Sequence, residues 1–69
     1  MDQLLSVGQV ARLLGLPAHR IAYAHISLAL AEPARRILNK RMYTPDEVRV
    51  VAGHFGIALT PETDAAISG

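Results

Sequence analysis

Arg35, Arg36, Lys40 and Arg41 account for four of the seven basic residues of this 69-residue chain and fall within one short stretch. A guanidinium is a planar fork of donors that matches the oxygens of a phosphate or a carboxylate, so a cluster of this kind is chemistry for an anion. Upstream, His19, Arg20 and Tyr23 recur at the spacing that puts side chains on one side of a helix. An arginine there can reach a guanine edge or a phosphate. A tyrosine can donate its hydroxyl to a phosphate oxygen, or else half-bury its ring in a core. Gln9 and Arg12, three apart, are two further polar positions of a first helix. Catalytic and metal chemistry find little support. The chain has no Cys, and the spacings of His19, His25 and His54 match no zinc signature. His25 and His54 fall on or beside apolar faces, where a packed, hydrogen-bonded histidine is expected. There is no Ser/His/Asp pattern and no glycine-rich phosphate loop, and Asp46 and Glu47 are accounted for as helix-start residues. Neither an enzyme, a metal site nor a cofactor is expected.

The net charge of +1 conceals a segregation. Between Gln3 and Tyr43 the charged residues are Arg12, Arg20, Arg35, Arg36, Lys40 and Arg41 against Glu32 alone, 6 − 1 = +5. The remainder sets Arg49 against Asp2, Asp46, Glu47, Glu62 and Asp64, 1 − 5 = −4. A cationic segment against an acidic remainder is the electrostatic footprint of a polyanion partner, or of a solvated basic loop. Arg41 has a second option, a structural ion pair with the Asp46–Glu47 helix start.

The elements that position these residues follow from local signals. Ser6-Val7-Gly8-Gln9 has the form of a capping box, and Val7, Val10, Ala11 and Leu14 continue at helical spacing until Gly15. Leu16 is a turn residue, and Pro17 stands at the entrance of a second helix, where its missing N–H costs nothing. Ile21, Ala24, His25 and Leu28 share one face of that helix, which is expected to run to about Leu28; His19, Arg20 and Tyr23 share the other. Glu32-Pro33 stops it. From Ala34 to Tyr43 the helical period is lost and Asn39 suits a turn, so a two-stranded hairpin is expected, with Ile37 and Met42 toward the helices and the arginines outward. Thr44-Pro45-Asp46-Glu47 starts a third helix with Val48, Val51, Ala52 and Phe55 as its apolar stripe and Gly56 as its end. Thr60-Pro61 begins a last turn or two with little to bury. The expectation is a mainly α domain over residues 1–59, with three helices and a two-stranded β wing, and a weakly helical tail over 60–69.

Hydrophobic residues form 51% of the chain, with one Phe, two Tyr and no Trp, so the core is aliphatic. A chain this short hides only about 60% of its unfolded surface, which leaves a thin margin of stability. Met1-Asp2-Gln3-Leu4-Leu5 lacks the basic start of a signal peptide, and Ile26 to Ala31 is far short of a membrane span. Together with the absence of Cys, these suggest a cytoplasmic protein.

The run Ser6-Val7-Gly8-Gln9-Val10-Ala11-Arg12-Leu13-Leu14-Gly15-Leu16-Pro17 resembles the opening of the winged helix-turn-helix domain of the MerR (mercury-resistance regulator) type. Arg35-Arg36, then Arg41-Met42-Tyr43-Thr44-Pro45-Asp46-Glu47-Val48, resembles that family's wing and the start of its third helix. The resemblance spans Leu5 to Ile57. It implies a second helix in the major groove of double-stranded DNA, with Ala18, His19, Arg20, Ala22 and Tyr23 toward the groove, and a wing carrying Arg35, Arg36, Lys40 and Arg41 on the backbone or minor groove. The first helix, with Gln9 and Arg12, would cross the backbone. The chain departs from the pattern at Ala22, where a basic residue is usual, at Ala24, often aromatic, and at Ser27-Leu28-Ala29-Leu30, which replaces the usual Gly and leaves the second helix room to run on. The family's long dimerisation helix and effector domain have no counterpart in these residues. What the resemblance implies is a DNA-binding transcription regulator; the small footprint of a single copy points to two or more copies acting on DNA. Two alternatives stand beside it: an excisionase-like DNA-bending factor, and a protein-interaction adaptor using the apolar Ile26–Ala31 segment with Ile57 and Leu59.

Overall fold

The computed structural model describes residues 3–68. Asp2, counted above with the acidic remainder, and the outer ends of the two expected segments at 1 and 69 lie outside the described residues. The chain forms β1 (Leu5–Ser6), α1 (Val7–Leu14), α2 (Ala18–Ile26), β2 (Arg35–Ile37), β3 (Lys40–Tyr43), α3 (Pro45–His54) and α4 (Pro61–Ser68). Among the described residues, four helices and a three-stranded antiparallel sheet in the order β1-β3-β2 make a mixed α/β architecture, where a mainly α domain of three helices, a two-stranded wing and a weak helical tail is expected.

The two capping boxes form as read. Ser6 Oγ accepts from the Gln9 amide, and Gln9 Oε1 accepts from the Ser6 amide at 2.8 Å. Thr44 and Glu47 exchange the same pair of bonds, with Pro45 in the first turn. Each box satisfies two of the amides that a helix start leaves without partners. Helix α1 buries Val10, Ala11 and Leu14 and ends where Gly15 takes φ 68°, a left-handed cap that only glycine adopts without cost.

Helix α2 buries Ile21, Ala24 and His25 but stops at Ile26, short of the expected Leu28. Leu28 itself takes φ 64°, its amide donates to the His25 carbonyl, and the Ala29 amide donates back to Ala24. That is the bonding of a Schellman cap with leucine in glycine's place. Leu28 therefore leaves the buried face and is 89% exposed.

His25 is the one buried polar side chain among the described residues. Its Nδ1 donates to the Leu30 carbonyl at 3.2 Å, and its Nε2 accepts from the Tyr43 hydroxyl at 2.8 Å. With Nδ1 facing a carbonyl and Nε2 facing a hydroxyl, both ring nitrogens are satisfied, as a buried polar group requires. The link ties the end of α2 to the base of the β2–β3 hairpin.

Leu38 and Asn39 both have positive φ between the paired Ile37 and Lys40, which marks a two-residue type I′ turn. The register Arg35↔Met42, Arg36↔Arg41, Ile37↔Lys40 sorts the side chains, because directly opposed residues share a face. Arg35, Ile37, Lys40 and Met42 share one face. Arg36 and Arg41 share the other with the buried Tyr43. The expected sorting, apolar residues in and arginines out, is thus incorrect. Strand β1, two residues long and without sequence signal, pairs Leu5 with Tyr43 and fixes which side faces the core.

Helix α3 buries Val48, Val51 and Ala52. The expected last turn or two forms as α4, but it is not without burial: Ile67 is completely buried against the same core as Val10 and Val48. Arg49 holds it there: its guanidinium donates to Asp64 at 2.8 Å and to Asp46 at 3.0 Å, and also reaches the Ser68 hydroxyl. No helix among the described residues is long and apolar enough to cross a membrane.

Candidate nucleic-acid interface

Helix α2 follows α1 through a tight turn at Gly15-Leu16-Pro17 and packs one face inward, which turns Ala18, His19, Arg20 and Tyr23 to the outside. Tyr23 is 66% exposed, so the half-buried alternative for its ring does not hold. His19, Arg20 and Tyr23 line an open cleft of about 320 Å³ whose other wall is His54 and Phe55 at the end of α3. His54 is exposed and meets the Phe55 ring edge-on at 4.9 Å, not packed in the core as expected. The departure at Ala22 leaves only a methyl at a partly buried position.

On the hairpin, Arg35 and Lys40 are exposed on the outer face. Arg36 and Arg41, on the inner face, donate to the same Glu32 oxygen, each at 2.7 Å. The hydrogen bond from Arg41 is the largest influence on the Glu32 carboxyl; desolvation opposes it, but the charges of Arg41 and Arg36 and the Arg36 hydrogen bond add to it and hold the group below the usual carboxylate range. The ion pair foreseen for Arg41 exists, but its partner is Glu32. Glu47 is already committed, accepting from the amides of Thr44 and Ala34 at 2.9 and 3.0 Å. Desolvation raises the Glu47 carboxyl, yet these hydrogen bonds and the nearby Arg35 outweigh it and keep the group below its ordinary value. From sequence alone Glu32 is only a helix stop. Its standing as the lone acid of the basic segment was the available signal for its true place.

A second cleft, of about 400 Å³, is lined by Ser6, Val7 and Gly8 at the start of α1 and by Asn39, Lys40 and Arg41 of the hairpin. The first-turn amides of α1 and two cations thus border one space, an arrangement suited to an oxyanion. Gln9 and Arg12 are exposed on α1, with the Gln9 carbonyl oxygen occupied by the capping box. The two clefts are separate: the α2 group lines one and the hairpin group the other. Arg35 and Arg36 line neither.

No family model, curated protein or solved structure matches the chain.

Proposed function

We propose that this chain binds double-stranded DNA as a small winged helix-turn-helix module of the MerR type, serving as a transcription regulator. The observation that carries the proposal is the outer face of α2, where Ala18, His19, Arg20 and Tyr23 are all exposed while the opposite face supplies Ile21, Ala24 and His25 to the core. A short helix held after a tight turn, with its polar side free, can enter a major groove about 12 Å wide. In this role Arg20 reads a guanine edge or grips a phosphate, and the Tyr23 hydroxyl donates to a phosphate oxygen. The β2–β3 hairpin is the wing. Arg35 and Lys40 hold phosphates directly, and the α1 amides beside Lys40 and Arg41 supply a further phosphate site. Glu32 tempers the inner pair, so the hairpin group of Arg35, Arg36, Lys40, Arg41 and Glu32 carries 4 − 1 = +3.

A single module of this kind buries only roughly 600–1,000 Å², so useful affinity comes from two or more copies on repeated half-sites. The test is fluorescence anisotropy of a mixed-sequence duplex at several salt concentrations, with the wild type and the Arg35→Glu/Lys40→Glu variant. The wild type binds with an affinity that falls steeply with salt, and the variant loses at least about tenfold at low salt. Equal affinity in both, or no binding by the wild type at low salt, overturns the proposal.

One observation favours a second reading. Ile26 is 71% exposed and Leu28 89%, an apolar pair at the end of α2 that suits a protein partner. An adaptor of this kind shows no duplex binding, and Ile26→Ser/Leu28→Ser would abolish its partner contact without altering the fold.

A further inference from the structure

We infer that the hairpin tip is a wedge: Leu38, backed by Ile37, enters the minor groove, parts a base step and bends the duplex. This inference rests on the DNA-binding proposal and gives its hairpin a second task.

Leu38 is the anomaly that leads there. It is 90% exposed, so its side chain gains almost no burial within the protein. It also stands at φ 51° in the first central position of a type I′ turn, where Asn, Asp or Gly is the comfortable residue and a leucine is strained. The next residue, Asn39, is the type such a turn prefers. A leucine here costs the fold stability and returns nothing inside it. A contact outside the molecule accounts for it.

The surroundings of Leu38 name the chemistry of that contact. The hairpin register places Ile37, itself half exposed, on the same face as Arg35 and Lys40. An aliphatic apex is therefore flanked on one face by two exposed cations, with Arg36 and Arg41 behind. An isolated apolar tip within a cationic ribbon matches a groove walled by phosphates and floored by stacked bases. Aliphatic side chains inserted from the minor groove are a known means of unstacking a step and kinking the duplex by about 20–90°. A two-stranded ribbon has strands about 4.8 Å apart, so in a groove about 6 Å wide only its apex enters until the kink widens the groove. Pyrimidine–purine steps unstack most easily and are the preferred positions.

The experiment reads binding and bending separately on one duplex of about 30 base pairs carrying a donor and an acceptor at its ends and a central TA step. Anisotropy reports binding and energy transfer reports the bend. The wild type binds and raises transfer. Leu38→Asn, which suits the turn better and keeps every cation, binds within about threefold of the wild type and loses the rise. Leu38→Gly behaves as Leu38→Asn does, and neither lowers the thermal midpoint. Wild-type binding without a rise in transfer overturns the wedge and leaves the DNA-binding proposal standing, as does a rise that Leu38→Asn retains. No wild-type binding overturns both, and an apolar tip made for a protein partner gives that result.

Discussion

Replacing Glu32 by glutamine is the perturbation with the most direct consequence for DNA binding. Its carboxylate oxygen takes hydrogen bonds from Arg36 and Arg41, both at 2.7 Å, and is the only negative charge between Gln3 and Tyr43. The glutamine is nearly isosteric but neutral, so the hairpin group rises from +3 to +4 and two guanidiniums are released. Each can engage one more phosphate. Each added phosphate contact steepens the slope of log affinity against log salt by about 0.9, so the variant's slope steepens by about 0.9 to 1.8. At 0.1 M salt this amounts to about eightfold tighter binding per added contact, vanishing toward 1 M. The fold tolerates the change, because all three side chains are partly solvated and the pairs are screened. Anisotropy titrations between 50 and 300 mM salt, wild type against Glu32→Gln, measure the slope. An unchanged slope, or weaker binding by the variant, refutes the reasoning and makes Glu32 an organiser of the arginines instead of their neutraliser.

Four further outcomes follow from the fold. Tyr43→Phe removes the donor to His25 Nε2 in a buried site and lowers stability by about 1–3 kcal/mol, which for a domain of this size is about 4–8 °C of thermal midpoint per kcal/mol; a midpoint within a degree of wild type contradicts the buried bond. Leu28→Gly relieves a left-handed leucine whose side chain packs against almost nothing, and raises stability by about 0.5–1 kcal/mol in denaturant titration, the steric relief exceeding glycine's entropy cost. Ile67→Ala empties a fully buried position and costs about 2–5 kcal/mol, measured the same way; a loss near zero would make α4 dispensable. The folded-state values of Glu32 and Glu47 lie below 4.5, so their contribution is present above pH 4.5 and is lost as pH falls through those lowered values, whereas Tyr43, raised above 10 by burial, contributes fully below pH 10 and loses that contribution as pH rises through its raised value. Thermal midpoints across pH 2–12 should therefore fall at both ends, and a flat acid limb would contradict the carboxylate geometry.

What was legible in the sequence was local. The Ser6–Gln9 and Thr44–Glu47 boxes each lie within one helical turn, so type and spacing sufficed to place two helix starts. Asn39 marked the hairpin turn for the same reason. What failed depended on partners distant in the chain. The faces of the hairpin are set by β1 pairing with β3, and a two-residue strand carries no period to read. Proximity in sequence matches Arg41 to Asp46 and Glu47, but Glu47 is held by the Thr44 and Ala34 amides, which leaves Glu32. Ile67 had nothing to bury within its own segment and found its pocket among residues of α1 and α3. The end of α2 was misplaced because leucine at Leu28 does a glycine's work, a local rule broken where the side chain is exposed. Leu38 breaks the same kind of rule. The candidate site divides in the same way: exposed Arg20, Tyr23, Arg35 and Lys40 stand where helical and strand spacing put them, while the pairing of Arg36 and Arg41 through Glu32 and the exposure of His54 required the folded chain.

The central claim is that α2 and the hairpin meet one duplex together. Amide chemical shifts of the isotope-labelled protein, followed while an unlabelled duplex is added at low salt, test it most directly. Engagement of both moves the amides of residues 18–23 and 35–41 in the same titration, with those of Val7 and Gly8, and with one shared midpoint. Shifts confined to residues 26–31, or an unperturbed spectrum, would contradict it.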